Sequence, residues 1–287
     1  LSTIRSYSAK LLLFGEYSVL AGSDAFAFPW PAFSGSLQRI DLKSHTDPIL
    51  GDSNSSLRSL LAYLESADHC ETAGEILDMD RLSRDIIAGL TFKSDIPVNY
   101  GLGSSGALVA ALYDSYRNPE NAKELTVIRD HLAFIESAFH ARSSGTDPLV
   151  SFLGRPVFIR NGRVECPAAN PEQLSEHLHI SLIDSGMQGT TRAGVTSFDP
   201  GSATALFTSE YIPLVNSLVN HIYLGRFENL YKQVIRLSTL QLQLMPQLFT
   251  PGIRAEAERG LLTGDFAIKL CGSGGGGFYL KMEPAEA

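Results

Sequence analysis

The segment PVNYGLGSSGALVAALYDSY, Pro97–Tyr116, decides how the rest of the chain is read. A proline and a short polar lead-in bring the backbone to Gly101 and Gly103, followed by Ser104, Ser105 and Gly106. From Ala107 the residues turn apolar and helix-favouring as far as Leu112. The pattern is a glycine-rich loop feeding directly into a helix. The unpaired N–H groups and partial positive charge of a helix start suit a phosphate. Glycines let the backbone curl and approach a ligand closely. The hydroxyls of Ser104 and Ser105 can cap the helix or ligate a hard divalent cation. No Gly-Lys-Ser/Thr follows, so this is not a Walker A loop, and no acidic partner downstream completes a dinucleotide fingerprint. Taken alone, the segment is equally a tight turn before a buried helix.

Working outward, 287 residues are enough for two domains or one large one with an ample core. Apolar residues at 44% and charged residues at 19% fit a soluble globular protein. A net charge of -8 argues against nucleic acid or an anionic membrane as the main partner. Cys70, Cys166 and Cys271 stand far apart without paired spacing, which points to reduced thiols in a cytoplasmic setting rather than a disulfide framework or zinc site. No apolar run is long enough to span a bilayer, and no signal-peptide pattern opens at Leu1.

Upstream of the glycine loop, residues 6–14 predict a buried strand carrying one lysine, Lys10, with Glu16 just beyond it. Lys10 by itself is either a strand-edge charge reaching water or a group aimed at an anion. Residues 26–42 predict a strand broken by Pro29 and Pro31 and then an alternating one. Residues 44–56 read as a polar surface loop, 57–67 and 79–90 as helical or mixed, and 91–100 as a strand. Downstream, residues 121–142 predict a long amphipathic helix, with Leu125, Ile128, Leu132, Ile135 and Phe139 at helical spacing. Glu136 and His140 fall one turn apart near its end, and a small-residue loop then carries Asp147. Glu136 alone could be a surface charge, and Asp147 before Pro148 could merely begin a turn. Residues 156–165 predict a hairpin turning at Asn161-Gly162. The proline-rich stretch 166–175 places a domain boundary near residue 170, giving 1–170 and 171–287. Beyond it come a strand at 179–186, helices near 202–224, 227–245 and 252–260, and a strand–glycine loop–strand unit over 266–282.

Three segments taken together, KLLLFGEYSVLAG from Lys10, PVNYGLGSSGALVAAL from Pro97 and KLCGSGGGG from Lys269, resemble the three motifs of the GHMP kinase superfamily in order and spacing. Within it the chain looks most like the mevalonate kinases, because Glu136, His140 and Ser144-Gly145-Thr146-Asp147 reproduce a Glu, a His one turn later and a Ser-Gly-x-Asp loop. The resemblance implies an α+β fold of two domains. The first would be ribosomal protein S5 domain 2-like with a left-handed crossover, the second ferredoxin-like, with an active site in the cleft between them. It also implies ATP and Mg²⁺ as cofactors and transfer of a phosphoryl group to a small-molecule alcohol, in a family whose members are often homodimers.

The roles that come with the resemblance fall on particular residues. Asp147 would orient, or deprotonate, the substrate hydroxyl, with Lys10 beside it. Ser105 and Glu136 would hold Mg²⁺. The loop Gly101–Gly106 (with Leu102, Gly103, Ser104 and Ser105), flanked by Pro97 and Ala107, would wrap the triphosphate. Glu16, Thr191, Arg192, Gly272, Ser273, Gly274 and Gly275 would meet the substrate. His140 has a supporting role only. Two departures stand out. Tyr17 occupies the place of the family histidine after Glu16. Gly189 stands where mevalonate kinases carry a basic residue before a threonine, and Arg192 comes only after Thr191. The galactokinase His-Thr-Asp sequence is absent, the residues here being Tyr17-Ser18-Val19, and Asp147 disfavours homoserine kinase. Phosphomevalonate kinase or a sugar or small-alcohol kinase is the alternative enzyme, and a non-catalytic nucleotide-binding paralogue the alternative of another class.

Overall fold

The structure, a computed structural model, describes residues 5–41, 48–119, 124–140, 143–167, 171–189 and 204–285. The chain forms two compact units, neither of them one continuous stretch. The first takes residues 1–10, 29–96 and 103–155, and the second 11–28, 97–102 and 156–287.

Strands β1 (Tyr7–Phe14) and β2 (Ala25–Arg39) each contribute to both units. In the first unit, the second half of β2 pairs antiparallel with β3 (Leu90–Ser94), Gly35 opposite Ser94 and Arg39 opposite Leu90. In the second, the start of β2 pairs with β4 (Val157–Arg160), and β4 with β5 (Arg163–Glu165). The strand order is β1-β2-β4-β5, with β3 also on β2. Pro29 and Pro31 do not break β2 as expected. They fall between the stretch paired with β4 and the stretch paired with β3, and the strand runs on through both. The hairpin at Asn161-Gly162 is as expected, both residues having positive φ (49° and 74°), as a type I′ turn demands.

The helices of the first unit are α1 (Pro48–Leu64), α2 (Cys70–Ile76), α3 (Met79–Ile87), α4 (Ser104–Tyr116), α5 (Leu125–Glu136) and α6 (Thr146–Leu153). The stretch expected as a loop over 44–56 is, from Pro48 onward, the first part of α1. Two of its polar residues turn inward: Asn54 Nδ2 donates to the carbonyls of Ile86 and Leu90 at 3.0 and 2.7 Å, and Ser53 Oγ both donates to and accepts from the Phe92 backbone. Helix α5 is shorter than anticipated, ending at Glu136, with hydrogen-bonded turns continuing to Phe139. Helix α4 is the centre of the unit, packed by α5 and α6. Its Val109–Tyr113 stretch is buried all round, so it shows almost no polar stripe. Ser104 and Ser105 stand in its first turn, and that turn lies at the candidate site.

The second unit contains α7 (Pro171–Ser175), α8 (Ile212–Tyr223), α9 (Leu230–Leu244) and α10 (Pro251–Thr263). An antiparallel sheet ordered β6-β8-β7 joins Leu178–Asp184, Phe278–Pro284 and Ala267–Leu270. Helices α9 and α10 pack on β7, which is buried along its whole length. Helices gathered on an antiparallel sheet make this an α+β arrangement. Among the described residues no helix is long and apolar enough to cross a membrane.

Candidate active site

In the first unit, β1, the start of α4, the end of α5 and the start of α6 bring four predicted residues together. The Lys10 side chain is 3% exposed, and its Nζ stands 2.9 Å from Asp147 Oδ2. Asp147 sits in the first turn of α6, after Gly145 and before Pro148. That position favours a carboxylate through the helix dipole and tolerates proline because its N–H is not required. Two glycines of the opening segment make this approach possible. Gly103 has φ +73°, and a Cβ there would lie 2.8 Å from Lys10 Cγ. A Cβ on Gly106 would lie 2.9 Å from the carbonyl carbon of Asp147 and from Pro148 N. In this unit the small residues of the loop thus make room for the lysine and for α6, a steric demand independent of any nucleotide.

Glu136 closes α5 with only 5% exposure. Ser105 Oγ donates to its Oε1 at 3.1 Å, and Ser143 Oγ donates to its Oε2. Burial first, and the negative charge of Asp147 second, push the Glu136 carboxyl up to about 7, against the opposing pull of the two hydroxyls and Lys10. His140 Nε2 lies 3.1 Å from Ser105 Oγ. Burial lowers the His140 pKa, partly offset by Asp147. The capping role open to Ser104 and Ser105 is not taken: Gly103 is the N-cap of α4, and no side chain caps it.

This donor set suits a hard cation. Oxygen donors dominate, the one ammonium pairs with Asp147, and burial and the Asp147 charge raise the Glu136 pKa against the pull of Ser105, Ser143 and Lys10. Among the described residues no group of three or more His, Cys, Asp or Glu could hold a metal by itself. A metal here would therefore need oxygens from a ligand such as a phosphate, which is the habit of Mg²⁺.

Of the remaining predicted residues, Ala107 is buried in α4 of the first unit, and the others belong to the second unit or lie outside the described residues. The loop Pro97–Leu102, with Leu102 fully buried, is threaded through the second unit. Asn99 O accepts from Gly189 N at 3.0 Å, and Tyr100 O accepts from Phe278 N at 3.3 Å. The Gly272–Gly275 loop lies against it at Gly101, and Gly275 N donates to Leu248 O at 2.7 Å. Ser273 O accepts from the Tyr17 hydroxyl. Glu16, expected to meet substrate, is instead interior: its carboxylate pairs with Lys269, each side chain 1% exposed. Thr191 and Arg192 lie outside the described residues. Sequence reasoning passed over Ser143 and Lys269. For Ser143 no signal stood out from the surrounding small residues. For Lys269 there was one, a lysine inside an otherwise apolar strand beside a glycine run.

With this geometry in place, comparison with known proteins shows what the chain is similar to. The family model described as "GHMP kinases N terminal domain" matches residues 69–155, which include α4, α5, Glu136 and Asp147. That match covers less than a third of the chain, and there the chain is similar to the N-terminal domain of GHMP kinases. The curated relatives it matches are mevalonate kinases. That of Pyrococcus abyssi is 27% identical over 56% of this chain, which there spans only 52% of the relative's length. That of Thermococcus sibiricus is 25% identical over 99% of this chain and 90% of its own. Among solved structures, the L. major mevalonate kinase in complex with R-mevalonate aligns with TM-score 0.63 at 15% identity, covering 98% of this chain and 87% of that one. The Streptococcus pneumoniae phosphomevalonate kinase in complex with phosphomevalonate and AMPPNP aligns with TM-score 0.65 at 15% identity, covering 99% and 92%. At such identities the structures show the fold.

Proposed function

We propose that this protein is an ATP-dependent small-molecule kinase that transfers the γ-phosphoryl group to an alcohol hydroxyl, and that its acceptor is mevalonate, giving 5-phosphomevalonate. The observation that carries the reading is the interior Lys10 ammonium 2.9 Å from Asp147, a carboxylate left 35% exposed and so open to a ligand. A structural ion pair has no need of such asymmetry. The choice of mevalonate is supported by the names of the curated relatives.

In this mechanism the Asp147 carboxylate accepts a hydrogen bond from the acceptor hydroxyl and aims its oxygen in line with the γ-phosphorus. The O–P bond forms as the bond to the β–γ bridging oxygen breaks, and the hydroxyl proton passes toward Asp147. Lys10 pairs with Asp147 and offsets charge on the transferring group. Phosphoryl transfer asks the protein mainly for this positioning and charge neutralisation. Ser105 and Glu136 are the residues that would hold Mg²⁺, whose contribution is to draw negative charge from the β- and γ-phosphates. His140 and Ser143 orient those two side chains by hydrogen bonding.

The test is a coupled assay for ADP release with Mg²⁺-ATP and, in parallel, mevalonate, phosphomevalonate and a sugar panel. Turnover with mevalonate alone is expected. Turnover confined to phosphomevalonate or a sugar would move the assignment to that acceptor, and nucleotide binding without turnover on any of them would indicate a non-catalytic paralogue.

A further inference from the structure

Glu16 and Tyr17 follow the end of β1, and each binds a different part of the segment that opens the last glycine loop. The Glu16 carboxylate pairs with the Lys269 ammonium, which also donates to Leu270 O at 2.7 Å. The Tyr17 hydroxyl donates to Ser273 O. Gln241 of α9 adds a third hold, accepting from Leu270 N at 2.9 Å while its Nε2 donates to the Tyr211 hydroxyl at 2.9 Å. All these groups belong to the second unit.

Tyr17 has φ 61° and ψ -40°, and Ser18 N donates to Glu16 O across it at 2.7 Å. This is the rare, strained form of γ-turn, in a residue with a bulky side chain. Such a backbone persists only where its surroundings over-determine it, and such strain clusters at functional sites. Nor does burial alone explain Glu16 and Lys269, because an apolar pair of similar volume would avoid their desolvation. What the ion pair and the phenol supply is direction. Two consecutive residues of one turn grip both ends of Leu270–Gly272, and that backbone is what Gly101 rests on. Cys271 Sγ lies 3.9 Å from Gly101 O, and a Cβ on Gly272 would lie 2.9 Å from Gly101 Cα.

We propose that Glu16, Lys269 and Tyr17 are positioning residues that set the backbone of the phosphate-binding loop at Gly101 through the Leu270–Ser273 segment, and so govern nucleotide affinity without touching the nucleotide. The kinetic part of this proposal rests on the kinase reading above; the conformational part does not.

The experiment compares the parent protein with Tyr17→Phe, which deletes one hydroxyl, and with the double variant Glu16→Leu/Lys269→Met, which replaces the ion pair by an apolar one. Amide hydrogen exchange is followed over residues 97–103 and 270–278, and nucleotide KM and kcat are measured with the acceptor the parent turns over. Both variants are expected to fold. Exchange in the two segments should quicken by about tenfold, and nucleotide KM should rise about fivefold or more with kcat held within about twofold. Parental exchange and parental KM in either folded variant would overturn the proposal, as would a loss confined to kcat. A parent that turns over no acceptor would count against the kinase reading, while the exchange comparison would still decide whether the clamp exists.

Discussion

Lys10 surrenders nearly all contact with water to stand beside Asp147, and Glu136 surrenders as much to be held by two serine hydroxyls. Removing the Asp147 charge while keeping its shape, in Asp147→Asn, should cut turnover by roughly 10²–10⁴-fold. Nucleotide affinity, measured by titration calorimetry, should be nearly parental, and unchanged turnover would remove Asp147 from the mechanism. Glu136 carries the pH dependence. Its carboxyl, raised to about 7 in the folded chain from 4.5, holds a proton that the unfolded chain has released. That contribution to stability is fully present below about pH 4.5 and disappears as the pH rises through about 7. The melting temperature of the metal-free protein should therefore contain a component from this group that falls over that interval. Added Mg²⁺ and nucleotide should raise it more at about pH 8 than at about pH 5.5, because proton and cation compete for one carboxylate. Equal stabilisation at both pH values would count against metal ligation by Glu136.

At the scale of elements, the site depends on how closely α4 can lie against α6. Gly106 has no side chain because the Asp147-Pro148 backbone occupies that space. Gly106→Ala should cost about 1–3 kcal/mol as the two helices are forced apart, read by denaturant unfolding, and should lower turnover through displacement of Asp147. Full stability would mean that the two helices can separate freely. Ser105 stands on the first turn of the same helix without capping it. Ser105→Ala should therefore raise the Mg²⁺ concentration needed for half-maximal rate; a stability loss with unchanged metal dependence would reduce its role to supporting Glu136.

For the molecule as a whole, the most consequential buried charges away from the proposed chemistry are Glu16 and Lys269. Lys269→Met alone would leave a carboxylate in the interior of the second unit without its cation, at a cost of about 3–5 kcal/mol. Adding Glu16→Leu should recover most of that stability, and a double variant no more stable than the single one would show that the two charges act independently. The pair thus offers a stability experiment that is separable from its proposed effect on nucleotide affinity.

Much of this was legible along the chain, and the divide between what was and what was not has a physical basis. Glycine spacing, the hydroxyls after it and the Asn-Gly turn are local signals, set by φ preferences and helix ends, so the glycine loop, Ser105 and the 161–162 hairpin are legible along the chain, while Glu136 and Asp147 stand out only through the resemblance. The start of α1 was read as a loop because Ser53 and Asn54 look like surface residues until Phe92, Ile86 and Leu90 supply their partners. Glu16 is expected at the substrate only through the resemblance, and its partner Lys269 is distant in sequence and becomes its neighbour only in the folded chain. Local stereochemistry is written in consecutive residues. The partner of a buried polar group is chosen by tertiary packing, and only that choice separated the Lys10–Asp147 pair, whose carboxylate stays partly exposed, from the Glu16–Lys269 pair, enclosed on both sides.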